Sequence, residues 1–338
     1  MKIERDNSLD VLKAISIIFV LIWHLRPLSF ILNKNTHIII FITAKIVRDL
    51  ELQLCLTAVP LFYIVSLYLF FLKKPDNKYF LFRIRKIFKI FAFWSIFHYI
   101  FFLIVTKEVP KLSWEIIIGL KPSLPFVGDS VFYFLFNLIC LTTFAFLYQK
   151  INSTKLIRMV NYIIIIFCLI FFEASCINNS LIPYHWLINF IIYVPIAYYL
   201  VNKPNEILKY KFFYFAAYIL FSLHDIYLRT YSYFPSIYGR ISIVCGALTI
   251  FCFIYSLKIK DSWYIQKLSK YSLGLFAIHK YWQCLILLLI SNFEFGIVTE
   301  IFGIPINIVF LSAGTLVVIF SVLSIRLLKM TNFKQFIA

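Results

Sequence analysis

Charge is scarce in this chain. Asp, Glu, Lys and Arg make up 14% of its 338 residues, where a soluble domain carries about a quarter. Apolar types fill 62% of the sequence and Phe alone occurs 39 times. No soluble core of this length hides that much apolar surface, so the expected solvent is a bilayer. Glycine is rare too, with eight in all, which weakens the reading of a transporter built on broken midplane helices. Close cysteine pairs are missing. Cys55, Cys140, Cys168, Cys176, Cys245, Cys252 and Cys284 are scattered, mostly inside apolar runs. They read as buried thiols rather than redox or metal ligands, and no metal is expected. There is no P-loop, no G-x-S-x-G, no internal repeat and no low-complexity tract, so those catalytic schemes have no foothold. A cleavable leader is not expected either: Glu4, Asp6 and Asp10 dilute the basic N-terminus and no A-x-A site follows.

What is present is a series of apolar segments long enough for a bilayer: 9–32, 56–72, 82–105, 130–148, 157–173, 185–201, 211–228, 236–257, 269–290 and 303–328. Pro75, Pro110, Pro122, Pro125, Pro183, Pro204, Pro235 and Pro305 stand near their edges. The net charge of +18 is distributed between them in a pattern. Lys and Arg crowd into alternate connections: Lys2, Arg5 and Lys13; the run from Lys73 to Lys89; Lys150, Lys155 and Arg158; Lys203, Lys209 and Lys211; Lys258, Lys260, Lys267 and Lys270; Arg326, Lys329 and Lys334. A miscounted span destroys that alternation. The expected fold is therefore all-α, a polytopic membrane protein of about ten transmembrane helices with both termini cytoplasmic, forming one domain over 1–338. The basic excess reads as a topology signal and not as a nucleic-acid footprint.

The first span carries Asp10, Lys13 and His24. His24 follows Lys13 by about 1,100° of rotation and roughly 16 Å of rise, close to three full turns, so the two share a stripe. Asp10, one turn earlier, joins it. Such a face looks into protein or a wet cavity rather than lipid. Asp10 and Lys13 have a structural reading, as a pair at the membrane edge beside a helix N-terminus. His24 lies deeper, next to Trp23; a hydrogen-bonded structural imidazole is one reading, and a proton-handling group is the default one for an intramembrane ionisable residue.

Other polar positions stand out. Arg83, Arg85 and Lys86 open the third span, with Arg83 and Lys86 one turn apart. Guanidinium groups fork onto phosphate, although positive-inside topology and anionic inner-leaflet lipid account for the same charges. Near the outer ends fall Arg26, His98, Glu173, His185, His224, Asp225, Arg229 and Arg240, with Trp23, Trp94 and Trp186 nearby. An interfacial aromatic belt explains most of these. The adjacent His224 and Asp225 are the best candidates for acceptor binding. His279 and Lys280 sit deep in the ninth span, about 100° apart, so at most one of them faces the centre squarely.

Several stretches carry a family resemblance. "LDVLKAISIIFVLIWH" (9–24), "VPLFYIVSLYLFFLKK" (59–74), "FRIRKIFKIFAFWS" (82–95), "SVFYFLFNLICL" (130–141) and "LSKYSLGLFAIHKYW" (268–282) together resemble the integral-membrane acyltransferases called acyltransferase type three, in that family's order. Departures from the pattern stand at Leu67, Ile90, Ser130 and Phe132.

The resemblance implies transfer of an acyl group, most commonly acetyl, from cytoplasmic acyl-CoA to a hydroxyl of a cell-surface or secreted glycan or its lipid-linked precursor, in a bacterial cytoplasmic membrane. Acyl-CoA is then a co-substrate, no cofactor is permanently bound, and the partners are acyl-CoA, the glycan acceptor and membrane lipid, with no nucleic acid and no oligomeric state implied. His24 is the expected general base. Asp10 and Lys13 keep its stripe polar and orient the donor, while Arg83, Arg85 and Lys86 hold the donor's phosphates. His279, His224, Asp225 and Trp23 line the acceptor side or channel. Direct transfer and an acyl-histidine intermediate both remain open. The rival from another class is a transporter or flippase of a lipid-linked sugar.

Overall fold

The computed structural model of the chain describes residues 6–27, 38–105, 107, 131–177, 187–231, 233, 236–257, 259–291, 298–301 and 304–337. Lys2, Glu4, Arg5, Pro110, Pro122, Pro125, Ser130, Pro183, His185, Trp186, Pro235 and Lys258 lie outside the described residues.

The described chain is helical apart from one two-stranded ribbon. Helices α1 (Asn7–Leu25), α2 (Ile38–Leu54), α3 (Ala58–Leu72), α4 (Asn77–Val105), α5 (Tyr133–Gln149), α6 (Thr154–Ile177), α7 (Ile188–Ile191), α8 (Tyr193–Asn202), α9 (Pro204–Lys209), α10 (Lys211–Thr230), α11 (Ile241–Ser256) and α12 (Trp263–Ser291) lead to strands β1 (Val298–Ile301) and β2 (Ile304–Asn307) and then to α13 (Ile308–Lys329). Every apolar segment named above contains a helix. Among the described residues six stretches are long and apolar enough to cross a membrane: Asn7–Leu25, Phe41–Leu72, Asn77–Val105, Thr154–Ile177, Trp263–Ile290 and Ser312–Lys329. Tyr133–Gln149, Ile188–Asn202 and Ile241–Ser256 are apolar but shorter. Helix α10 is amphipathic, because Lys211, His224, Asp225 and Arg229 interrupt its apolar face.

Five local features depart from the expected spans. Helix α1 stops at Leu25, not near residue 32. Arg26 adopts a left-handed conformation (φ 44°) and closes the helix with its N–H on the Ile22 carbonyl at 2.9 Å. Pro27 follows, and a residue preceding proline is disfavoured in the α region. Residues 38–54, expected as a connection, form α2. The passage from α2 to α3 tightens to a 3-10 turn at Cys55–Thr57, because the Pro60 ring excludes a carbonyl four residues earlier. Pro195 produces the break between α7 and α8 at Ile192 in the same way. The last span begins at Ile308, not 303. The residues before it pair antiparallel, Val298 opposite Asn307 and Ile301 opposite Ile304. Val298, Thr299, Ile301, Ile304 and Ile306 are β-branched and favour that extended geometry.

The chain divides into two compact units, one of Met1–Ala58 with Ile259–Ala338 and one of Val59–Lys258. In the first, α1 and α12 pack side by side and parallel: Ser269 meets Asp10 near their starts, and Gln283 meets His24 near the end of α1. Helix α13 returns antiparallel along α12, with Trp282 stacked on Phe320 at 4.8 Å and its Nε1–H donating to Ser324 Oγ at 2.9 Å. Leu25, Ile286, Ala313 and Val317 form a buried cluster between them. In lipid the driving force is close packing rather than escape from water, so small residues sit at the seams. Gly274 is one such seam: a Cβ there lies 3.1 Å from the Ile337 carbonyl oxygen and 3.2 Å from Ile325 Cγ1.

The second unit has an aromatic core. Tyr63 is fully buried, its hydroxyl donates to the Phe134 carbonyl at 3.2 Å, and its ring lies 4.8 Å from Phe190. Tyr148 bonds Asn161 across α5 and α6. Phe80 and Phe146 stack face to face at 4.1 Å, joining α4 to α5. The opposite face of α4 is bare and apolar, with Phe82 64% and Ile104 71% exposed, as a lipid-facing surface requires.

Candidate active site

The polar stripe of α1 faces a polar stripe of α12. Ser269, Ser272, His279 and Gln283 recur on α12 at three-, seven- and four-residue steps, which keeps them on one side of a helix. The two stripes meet at three levels. At the bottom, Ser269 Oγ donates to Asp10 Oδ1 at 2.6 Å, and both side chains are buried. Asp10 is about 21 Å below His24 along α1, so it is no direct partner of that imidazole. Its position is that of a satisfied buried carboxylate holding two helices together. Lys13 is half-buried one turn above it.

At the top, the imidazoles of His24 and His279 lie 5.1 Å apart between ring centres, inclined by 41°. His279 is fully buried. Its Nδ1 lies 3.0 Å from the Leu275 carbonyl oxygen one turn back, so Nδ1 carries the proton and donates it. That tautomer leaves a lone pair on Nε2. Nε2 is buried, and among the described residues no group hydrogen-bonds to it. Between the histidines and the helix end, Gln283 Nε2 donates to the backbone carbonyl of His24 at 2.7 Å. The last carbonyls of a helix have no partner within it. The Gln283 amide supplies one, and it ties the backbone under His24 to the next turn of the helix that carries His279.

Beyond His24 the site turns aromatic and charged. Arg26 and Arg48 both approach the Trp23 ring, with guanidinium carbons 5.6 and 5.0 Å from its centre. Arg48 also faces Glu51 at 3.6 Å. Arg48 and Glu51 come from α2, whose apolar side (Ile38, Ile42, Ile46, Leu50) is exposed and whose polar side turns inward. Neither residue stood out in the sequence, because α2 was expected to be a connection. Gln283 was findable from its four-residue spacing to His279. Lys280, as its 100° offset requires, does not join the stripe, and among the described residues no carboxylate stands within ion-pair distance of it.

The basic trio of α4 divides. Arg83 Nη2 donates to the Ser66 carbonyl at 2.8 Å and to Ser66 Oγ at 2.7 Å, and its guanidinium lies 5.2 Å from the Phe70 ring centre. These bonds commit it to α3. Arg85 and Lys86 are exposed. The neighbours His224 and Asp225 also part company. His224 Nε2 meets Glu173 Oε2 of α6 at 3.2 Å in a half-exposed contact. Asp225 is buried, accepts from Arg240 Nη1 at 3.1 Å and from Ser242 Oγ, and so pins the start of α11 to α10. Among the described residues no three His, Cys, Asp or Glu side chains converge as a metal ion would need.

Two facing imidazoles, one with an open lone pair, inside membrane-length helices suit proton transfer at a reacting hydroxyl. Comparison with protein families matches the one described as acyltransferase domain over residues 6–326. The chain belongs to the acyltransferase type three family. Neither the curated proteins nor the solved structures contain a match. The match runs from the start of α1 into the last turn of α13, so both units belong to this membrane acyltransferase.

Proposed function

We propose that this acyltransferase moves an acyl group, acetyl by family resemblance, from acyl-CoA to a hydroxyl of a cell-surface or secreted glycan or its lipid-linked precursor. His24 acts as the general base. Its neutral imidazole takes the hydroxyl proton as the oxygen attacks the thioester carbonyl. Collapse of the tetrahedral intermediate breaks the C–S bond, and the imidazolium returns its proton to the departing thiolate. The products are an ester and free CoA. A positioned base contributes about 10²–10⁴-fold. His279 holds the second imidazole beside it, Trp23 with Arg48 and Glu51 offers an aromatic and hydrogen-bonding face for a sugar, and Arg85 and Lys86 attract the donor's phosphates. Lys13 keeps the approach to His24 polar. About ten spans with both termini in the cytoplasm accompany this reading, in keeping with the parallel run of α1 and α12 and with the alternating loop charge.

The observation that carries the reading is the His24–His279 pair at 5.1 Å, set in helices of membrane length, where an ionisable side chain is costly unless it works. The test is His24→Ala and His24→Gln in the full chain, with CoA release and glycan esterification measured together by mass spectrometry. Loss of both, with normal membrane insertion, is the expected result. Retained CoA release, or unmodified glycan accumulating inside the cell because export fails, overturns it, the second outcome in favour of a transporter.

A further inference from the structure

Cations gather around His24 from three helices. Arg26 closes α1, Arg48 comes from α2 and Lys280 from α12. The two guanidiniums stand over the same Trp23 ring, 5.6 and 5.0 Å from its centre. Lys280 adjoins His279, whose ring is 5.1 Å from that of His24. The charges of Lys280 and Arg26 act on each other and on His24. All of these residues belong to one compact unit. Against them stands Glu51, which faces Arg48 at 3.6 Å. Among the described residues no carboxylate lies within ion-pair distance of Arg26 or Lys280. Asp49, the next acid on α2, is turned about 100° from Arg48, on the side of Lys45.

Three cations against one carboxylate leave a positive surplus. The negative end of the α1 dipole offsets part of one charge, but Arg48 and Lys280 arrive from other helices. A base that takes a proton becomes a further cation, and like charges at this range repel. The surplus is also open to a visitor: Arg26 is exposed, and the Arg48 side chain is 40% exposed where that of Glu51 is 10%. A guanidinium resting on an indole keeps its N–H edges in its own plane, where they fork onto carboxylate or phosphate. We infer that the acceptor is anionic: the glycan carries an oxyanion, carboxylate or phosphate, near the hydroxyl that is acylated. Arg26 and Arg48 hold that oxyanion, and Lys280 adds its charge, while His24 takes the hydroxyl proton. The inference rests on the acyl-transfer reading. The acceptor's own charge then balances the imidazolium that forms, so a neutral sugar reacts slowly even where it fits.

The test uses the full chain in phosphatidylcholine nanodiscs, so that the bilayer brings no net charge, with acetyl-CoA and three acceptors built on one sugar: p-nitrophenyl glucoside, its 6-phosphate and p-nitrophenyl glucuronide. CoA release and ester formation are followed together. At least one charged acceptor is expected to exceed the glucoside in kcat/KM about tenfold or more, and whichever leads names the oxyanion. Added salt should raise the KM for that acceptor and not for the glucoside. Arg26→Gln, at an exposed position, is expected to melt like the wild type and to cut the preference about tenfold, with Arg26→Lys in between. Equal rates on all three acceptors overturn the inference and leave acyl transfer standing. So does an Arg26→Gln variant that slows charged and neutral acceptors by the same factor, because Arg26 then serves the tetrahedral intermediate. So does one that loses co-purifying anionic phospholipid with its preference intact, because Arg26 then serves the bilayer. If none of the three acceptors provokes CoA release, the acyl-transfer reading itself fails and takes this inference with it.

Discussion

Gln283 donates its side-chain amide to the backbone carbonyl of His24 at 2.7 Å. The bond joins the end of one helix to the face of another, and it lies one turn beyond His279 on α12. The position of the His24 imidazole therefore depends on a residue that touches neither ring nitrogen.

Replacing Gln283 by Leu keeps the volume and removes the donor. Losing the bond is expected to destabilise the fold by about 1 kcal/mol. The larger effect falls on catalysis, because small misplacements of a reacting group are costly: turnover is expected to drop about ten- to a hundredfold with the KM for acyl-CoA unchanged. Steady-state kinetics in detergent, with glycan acceptor and acyl-CoA varied separately, separates the two. A variant with normal turnover shows that the carbonyl bond does not position the base.

His279 has one bonded and one open nitrogen, and substitutions divide their roles. Asn places its amide nitrogen near the position of Nδ1 and keeps a donor for the Leu275 carbonyl, which now sits at 3.0 Å, while deleting Nε2. His279→Asn is expected to fold normally and to lose about 10²-fold or more in acyl transfer. His279→Leu loses both atoms and is expected to lose stability as well as activity. Equal activity of the Asn variant and wild type shows that Nε2 has no part in the reaction, whatever the Leu variant does.

Most of the helices were legible in the sequence because lipid demands a long apolar run for each. His24 was legible for the opposite reason, as an imidazole where lipid tolerates none without cause. Its pairing with His279 was not, because the two are far apart in sequence and periodicity gives each helix a face without naming the helix it meets. The stripe on α12 was written in the spacing of Ser269, Ser272, His279 and Gln283, but only the contact with Asp10 and His24 gives it meaning. Helix α2 escaped because Lys45, Arg48, Asp49 and Glu51 break its apolar pattern; Glu51 is buried while Lys45 and the isoleucines stay exposed. The commitment of Arg83 to Ser66 was hidden in the same way, since positive charge at a helix entry looks alike whether it meets a carbonyl or a phosphate.

Arg83 and Arg85 are expected to behave differently. Arg83→Ala removes a guanidinium that is bonded twice to Ser66, and it should lower the melting temperature and the yield of folded protein, by about 1–3 kcal/mol of stability. Arg85→Ala, at an exposed position, should leave melting unchanged and raise the KM for acyl-CoA several-fold. Thermal melting and donor titration on the same preparations check both. The reverse pattern transfers the donor role to Arg83.

Gly274 tests the packing that carries His279. A valine there drives a branched side chain into the Ile337 carbonyl oxygen and Ile325, already 3.1 and 3.2 Å from a bare Cβ. Overpacking of this kind costs about 1–3 kcal/mol, and the C-terminal turn Asn332–Phe336 is the part best able to move. Limited proteolysis is expected to release the C-terminal residues earlier in Gly274→Val than in wild type, with a smaller effect in Gly274→Ala.

Asp225 and His224 are adjacent in sequence and opposite in role. Asp225 and Arg240 have side chains only 4% and 3% exposed. Removing one member of such a pair strands the other charge in a dry interior, at about 3–5 kcal/mol. Asp225→Asn is therefore expected to misfold or to melt far below wild type, and His224→Ala, whose side chain is 40% exposed, to melt within about 0.5 kcal/mol of it. The double substitution Asp225→Leu with Arg240→Met removes both charges and should recover most of the lost stability, since apolar replacements of buried ion pairs are commonly neutral or better. If the recovered protein still esterifies glycan, the pair is a structural clamp between α10 and α11. If it folds and binds acyl-CoA but transfers nothing, Asp225 belongs to the acceptor site, and the clamp is the lesser part of its work.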